Sequence, residues 1–199
     1  NVPGKLHVAK RVTRFFNRVE AGCTGPARAQ RSKMKKLTTF DDTLTAWKRI
    51  PREIRNSISD LSESELDFKG GSDGWTIREN VHHLVEANLV AANMIVAALA
   101  TDGGYFDWTW LNPKKSWMRR VGYDSAGVEP AIKMLRALTD HVLALIANRP
   151  KALSRTVQLS DTPDGPRYTL TVEGILRQEV EHADQHLKVI QAIRERHAR

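Results

Sequence analysis

Beyond residue 34, apolar residues recur every three or four positions along most of this chain, and that spacing predicts helices. Phe40, Leu44 and Trp47, then Ile54, Ile58 and Leu61, mark a first helix. Pro51 lies between the two runs; an interior proline removes a backbone donor and crowds the preceding turn, so this helix is expected to kink or split there. A Gly70-Gly71-Ser-Asp-Gly74 loop follows, then Thr76-Ile-Arg-Glu79, in which threonine and glutamate can cap each other's backbone donors. A second helix therefore starts at Thr76, runs through an alanine-rich stretch to about Ala100 and ends in Asp102-Gly103-Gly104, where glycine permits a left-handed exit. A third begins near Val128, carries Ile132, Leu135, Leu138, Val142, Leu145 and Ile146, and stops at Arg149-Pro150. Alternating residues on either side of Asp164-Gly165 predict a short hairpin, and a fourth helix runs from about Thr171 past Ile193. The expected fold class is all-α: an antiparallel four-helix bundle with a short β-hairpin-like insertion before the last helix.

Length and composition are those of one ordinary globular domain: 199 residues, 41% hydrophobic and 27% charged. The single cysteine, Cys23, excludes an internal disulfide framework and a cysteine zinc cage, and fits a cytoplasmic location. The longest apolar run, Leu89 to Ala100, is short of a membrane span and interrupted by Asn93, so no membrane partner is expected. The net charge of +8 is unevenly placed: residues 1–33 hold +7 of it, leaving 23 basic against 22 acidic side chains in 34–199. A nearly neutral body argues against a nucleic-acid partner. The basic leader, 1–33, is expected to be non-native upstream or targeting sequence, or disordered, because Met34-Lys-Lys-Leu-Thr-Thr-Phe-Asp-Asp reads like a natural start. The domain is expected to be 34–199 and to fold without the leader.

The candidate chemistry is a set of histidines. His182 and His186 are one helical turn apart, so their imidazoles project only about 40° apart on one face. His82 and His83 stand a hundred residues earlier on the second helix. The stripe through His83 holds Ala87, Val90, Met94 and Ala97; that through His82 holds Arg78, Glu86, Leu89 and Asn93. The core face therefore belongs to His83. His182 and His186 share theirs with Ile175, Ile190 and Ile193, and Glu179 lies on it too. Three inward imidazoles make either a hydrogen-bonded core cluster or a three-histidine metal site with an open position.

Gly74-Trp75-Thr-Ile-Arg-Glu-Asn-Val-His82-His83-Leu, preceded by Ile50-Pro51 and followed far downstream by His182-x-x-x-His186, resembles the DinB/YfiT-like superfamily over nearly all of Thr38 to Ile193. The resemblance implies a four-helix bundle holding one metal, zinc or nickel, on His83, His182 and His186. It also implies one of two activities, hydrolysis of a small molecule or transfer to a low-molecular-weight thiol such as bacillithiol or mycothiol. Glu179 is then the candidate catalytic base, seven residues before His186. The chain departs from the YfiT-like pattern at Gln178-Glu179, where that subgroup writes a further tryptophan and histidine, which puts the subgroup's activity in question. The competing class is a metal-stabilised bundle that senses or binds a ligand without turnover. A small-molecule partner is expected under either reading, with a homodimer left open.

The segment Tyr105 to Arg120 carries Trp108, Trp110 and Trp117 with Lys114, Lys115, Arg119 and Arg120, and is expected either to wall the pocket or to pack as a lid with its cations in solvent. His141 is expected at a boundary and His197 in a frayed tail.

Overall fold

A computed structural model of the chain describes residues 39–72, 74–111, 114–149 and 151–198. The leader and the start of the 34–199 domain therefore lie outside the described residues. Among those described are five helices, α1 (Phe40–Ile58), α2 (Ile77–Ala100), the short α3 (Lys115–Val121), α4 (Val128–Ala147) and α5 (Val172–His197). Three strands accompany them, β1 (Gly104–Tyr105), β2 (Thr156–Leu159) and β3 (Tyr168–Thr171). The four long helices form the expected bundle, with α1 packed on α4 and α5, and α2 packed on the same two.

α1 is continuous through Pro51, which corrects the expected split. Ile50, Pro51 and Ile54 are buried together, and packing on both sides of the ring holds the turn that lacks a donor. α2 opens on the predicted capping box: the Thr76 amide donates to Glu79 Oε2 at 2.8 Å and the Glu79 amide donates to Thr76 Oγ1 at 3.0 Å. It leaves through Gly103, whose φ of +75° lies in the left-handed region. Eighteen of its 24 residues are buried, which makes it the central helix. By length and composition it could cross a bilayer, a correction to the short apolar run read from the sequence, but 67% of the qualifying window is buried against the other helices.

Helix directions follow from contacts at the ends. Arg78 Nη1 donates to the Ala126 carbonyl at 3.1 Å, which puts the start of α4 beside the start of α2, and Arg155 Nε donates to Ala98 O at 2.8 Å beside α2's end. α2 and α4 therefore run the same way, joined by the long connection that contains β1 and α3. Arg194 near the end of α5 reaches Ser57 O and, at 2.6 Å, Asp60 Oδ2 at the end of α1, so these two are also parallel. Antiparallel packing belongs to the α1–α4 and α2–α5 pairs.

The hairpin forms as predicted, with Thr156 opposite Thr171 and Leu159 opposite Tyr168. β1 adds a third strand in parallel, Gly104 opposite Val157, which periodicity did not reveal because two residues carry no period. The sheet closes the end of the bundle at which α2 stops. α3 sits at the other end, beside Trp75.

Candidate metal centre

His83 lies two turns into α2, and His182 and His186 lie one turn apart on α5. Because α2 and α5 are antiparallel neighbours, the three rings face one another. His83 Nε2 is 3.2 Å from His182 Nε2, and His186 Nε2 is 3.0 Å from the same atom. All three side chains are buried, and their candidate ligand atoms lie within 4.8 Å of one another. Burial pushes the pKa of each imidazole down, His83 and His182 well below the usual value with a further push from neighbouring rings, and His186 to about 4. At neutral pH the three rings are therefore uncharged and offer lone pairs.

Asn80 fixes one of those lone pairs. Its Nδ2 donates to the Thr76 carbonyl at 2.7 Å, and a carbonyl can only accept, so the amide oxygen must face the other way. There it lies 2.7 Å from His186 Nδ1, which donates to it. His186 consequently carries its proton on Nδ1 and turns a bare Nε2 toward His182. Asn80 is fully buried on His83's own stripe, and a buried amide that must find partners was the signal in the sequence that could have singled it out. Asn80→Leu is expected to weaken metal binding about 10–100-fold, measured by competition against a chromophoric chelator. An unchanged affinity would reduce the Asn80 contact to packing.

The set fits a metal ion on its own geometry. Imidazole nitrogens bound at about 2.0–2.1 Å in a tetrahedral shell stand about 3.3–3.4 Å apart. The observed 3.2 and 3.0 Å are just inside that spacing. His83 Nδ1 is buried without a hydrogen-bond partner, so the site is not a closed hydrogen-bonded cluster.

His82 is turned elsewhere, as the stripe argument predicts. Its Nε2 donates to the Ala126 carbonyl at 3.0 Å and its ring stacks on Tyr123 with centroids 4.9 Å apart. Arg78, on the same stripe, is buried and paired, with Nε 2.9 Å from Asp67 and Nη2 2.9 Å from Glu63. The polar stripe of α2 thus fastens the α1–α2 and α3–α4 connections to the helix.

Glu179 is buried one turn before His182, and its Oε2 has no hydrogen-bond partner. Burial alone pushes its carboxyl up to about 8. The compact cluster of ligand atoms comprises the three histidines and does not include it. Among the described residues the other buried glutamate, Glu79, is engaged in the capping box.

Trp75 covers the histidines, edge-on to His83 with centroids 4.8 Å apart and stacked on His186 at 5.9 Å. Fully buried Met118 of α3 packs on Trp75, with Trp117 and Tyr123 beside it, and Lys115 Nζ donates to Gly74 O at 2.8 Å. Only one of the three loop tryptophans joins this cover: Trp108 enters the bundle core and Trp110 is 56% exposed. Lys114, Arg119 and Arg120 face solvent. The lid reading of this segment therefore describes it better than an open aromatic wall. His141 is exposed. His197 corrects the frayed-tail expectation, since it remains helical and stacks on Phe68 at 4.0 Å.

The sequence pattern of the DinB superfamily matches residues 46–190. The chain belongs to the DinB superfamily. Among curated proteins, this DinB chain is 26% identical over 110 residues to a protein of Oceanobacillus iheyensis named "Putative metal-dependent hydrolase", an alignment covering 54% of this chain and 60% of that protein. It is 26% identical over 136 residues to a protein of the same description from Geobacillus kaustophilus, covering 64% of this chain and 71% of the relative. Among solved structures, YfiT from Bacillus subtilis, described as a probable metal-dependent hydrolase with an unusual four-helix bundle topology, matches with a TM-score of 0.70 at 19% identity. That match covers 89% of this chain and 95% of YfiT, and it establishes the fold.

Proposed function

We propose that this DinB chain is a metal-dependent hydrolase of a small molecule, with one divalent ion held by His83, His182 and His186. The observation that carries the reading is the convergence of three neutral Nε2 atoms, two of the separations being 3.2 and 3.0 Å. Three protein donors leave positions free for substrate, the pattern of catalytic rather than closed structural sites. An all-imidazole set suits zinc or nickel. When bound, the ion supplies Lewis acidity toward a carbonyl or phosphoryl oxygen and toward water. The names of the Oceanobacillus and Geobacillus relatives agree with this reading.

The chain's own residues take separate parts. Asn80 holds the His186 ring in one tautomer, and Trp75 with Met118 keeps bulk water off the histidines. Glu179, whose carboxyl is pushed up to about 8, holds a proton at neutral pH and is assigned to proton transfer. Transfer to a low-molecular-weight thiol is the second reading. It is favoured by the chain's having one cysteine, Cys23, so that a thiol nucleophile would come from outside.

Zinc- or nickel-loaded protein, assayed against chromogenic carboxylic and phosphoric esters and amides with and without added thiol, separates the readings. Hydrolysis is expected without thiol, lost on chelation and restored by metal. Glu179→Gln is expected to lower its rate about 10²–10⁴-fold, the range for a general acid or base. Turnover seen only with thiol would make the protein a transferase. Saturable ligand binding without turnover would make it a sensing bundle.

A further inference from the structure

On the side of the bundle away from the α2–α5 histidines, α1 and α4 meet along a groove of about 680 Å³. Its walls carry Lys48, Arg49, Arg52 and Arg55 from α1 and Lys133 and Arg136 from α4, with Asp140 as the acidic lining residue. Outside these seven side chains residues 34–199 hold 17 basic and 21 acidic ones, so the groove is a local concentration that the overall balance of 23 against 22 conceals. Arg55 pairs with Glu129 at 2.9 Å and Arg49 with Glu53 at 3.4 Å. Among the described residues, no carboxylate pairs with Lys48, Arg52, Lys133 or Arg136. Lys48, Arg52 and Arg55 follow one another at i, i+4 and i+7, a spacing at which neighbouring like charges destabilise a helix. That arrangement works against the fold. It favours an anion.

The floor is apolar: Pro51 and Ile132 are buried and Leu143 half-buried. The α1 cations span seven residues, about 10 Å along the helix axis. Guanidinium forks at that spacing suit a short run of phosphates, and the floor suits a flat organic group beside them. The volume lies within the usual range for a small-molecule site. An extended nucleic acid would need the cationic track to continue past the groove, and the remainder of the domain, with 17 basic against 21 acidic side chains, is net acidic. We propose that the α1–α4 groove is a second ligand site, separate from the histidine centre, that binds a nucleotide-sized organic polyphosphate.

Calorimetric titration of the full, metal-loaded chain with ATP at physiological ionic strength tests this. One saturable site is expected, with inorganic tripolyphosphate about tenfold weaker because it leaves the apolar floor empty. Arg52→Ala and Arg136→Ala, both at exposed positions, should each weaken ATP binding about tenfold or more while leaving metal content and unfolding temperature unchanged. Four results would overturn the proposal: no saturable binding of ATP, ATP binding that survives both substitutions, tripolyphosphate binding as tightly as ATP, or a single-stranded oligonucleotide that displaces ATP at lower phosphate concentration.

Discussion

His83→Ala, His182→Ala and His186→Ala are each expected to take metal content from one divalent ion per chain to near zero, and His82→Ala to leave it at one. The three rings face one another with Nε2 separations of 3.2 and 3.0 Å, so in the proposed site each would supply one of three donors. Removing one leaves two imidazoles, too few protein donors to hold the ion at stoichiometric occupancy. His82 differs because its Nε2–H is committed to the Ala126 carbonyl at 3.0 Å and its ring to Tyr123. Elemental analysis of untagged protein reads the outcome directly, and circular dichroism of each variant separates lost ligation from lost fold. Metal retained in His83→Ala and lost in His82→Ala would reverse the assignment of faces on α2. Metal retained in all four variants would remove these histidines as the site.

Metal-free protein should be most stable near pH 6.5 and less stable on both sides. The three histidines have folded-state pKa values below their ordinary 6.5, with His186 at about 4. Between pH 4 and 6.5 the unfolded chain therefore binds protons that the folded one refuses. The stability these groups contribute is fully present above 6.5 and is lost as pH falls, at about 1.4 kcal/mol per pH unit for each proton. Glu179 has the opposite sign. Its carboxyl is raised from 4.5 to about 8, so its contribution is present below 4.5 and is lost as pH rises toward 8. Over the acid range the histidines outnumber it and stability rises with pH, whereas between 6.5 and 8 Glu179 is the one of these four groups still titrating and stability falls. Urea unfolding of chelator-treated protein at half-unit pH steps measures both limbs. Glu179→Gln should abolish the alkaline fall and keep the acid one. A fall above pH 6.5 that persists in Glu179→Gln would assign it to another group.

Much of this architecture was legible because particular residues signal their local structure strongly. Thr76 and Glu79 fixed the start of α2 and Gly103 its exit, each through a local backbone requirement that tertiary packing had no reason to override, whereas the hairpin was legible from its alternating strands, which eight residues join without a positive φ at Gly165. His83 was separable from His82 by its apolar stripe even though both side chains proved buried. What failed to show was long-range. Pro51 announces a break that buried neighbours suppress, and α3 is too short for a 3.6-residue period to stand out. The parallel course of α2 and α4 depends on how a 27-residue connection is routed and on the end contacts of Arg78 with Ala126 and Arg155 with Ala98, which no periodicity encodes. At the site, three histidines could be named from spacing, but the Asn80–His186 contact joins residues 106 apart and required the fold.

Trp75 gives the centre an optical reporter. Its indole is stacked on one candidate ligand and edge-on to another, with ring centroids 5.9 and 4.8 Å away, while it is itself only 2% exposed. Its emission should be blue-shifted as for any indole shielded from water, and an open-shell ion such as nickel placed among those imidazoles would drain its excited state through short-range transfer, whereas closed-shell zinc would not. Occupancy and the electronic character of the occupant would therefore be visible in the protein's own fluorescence, without a label and before any substrate is known.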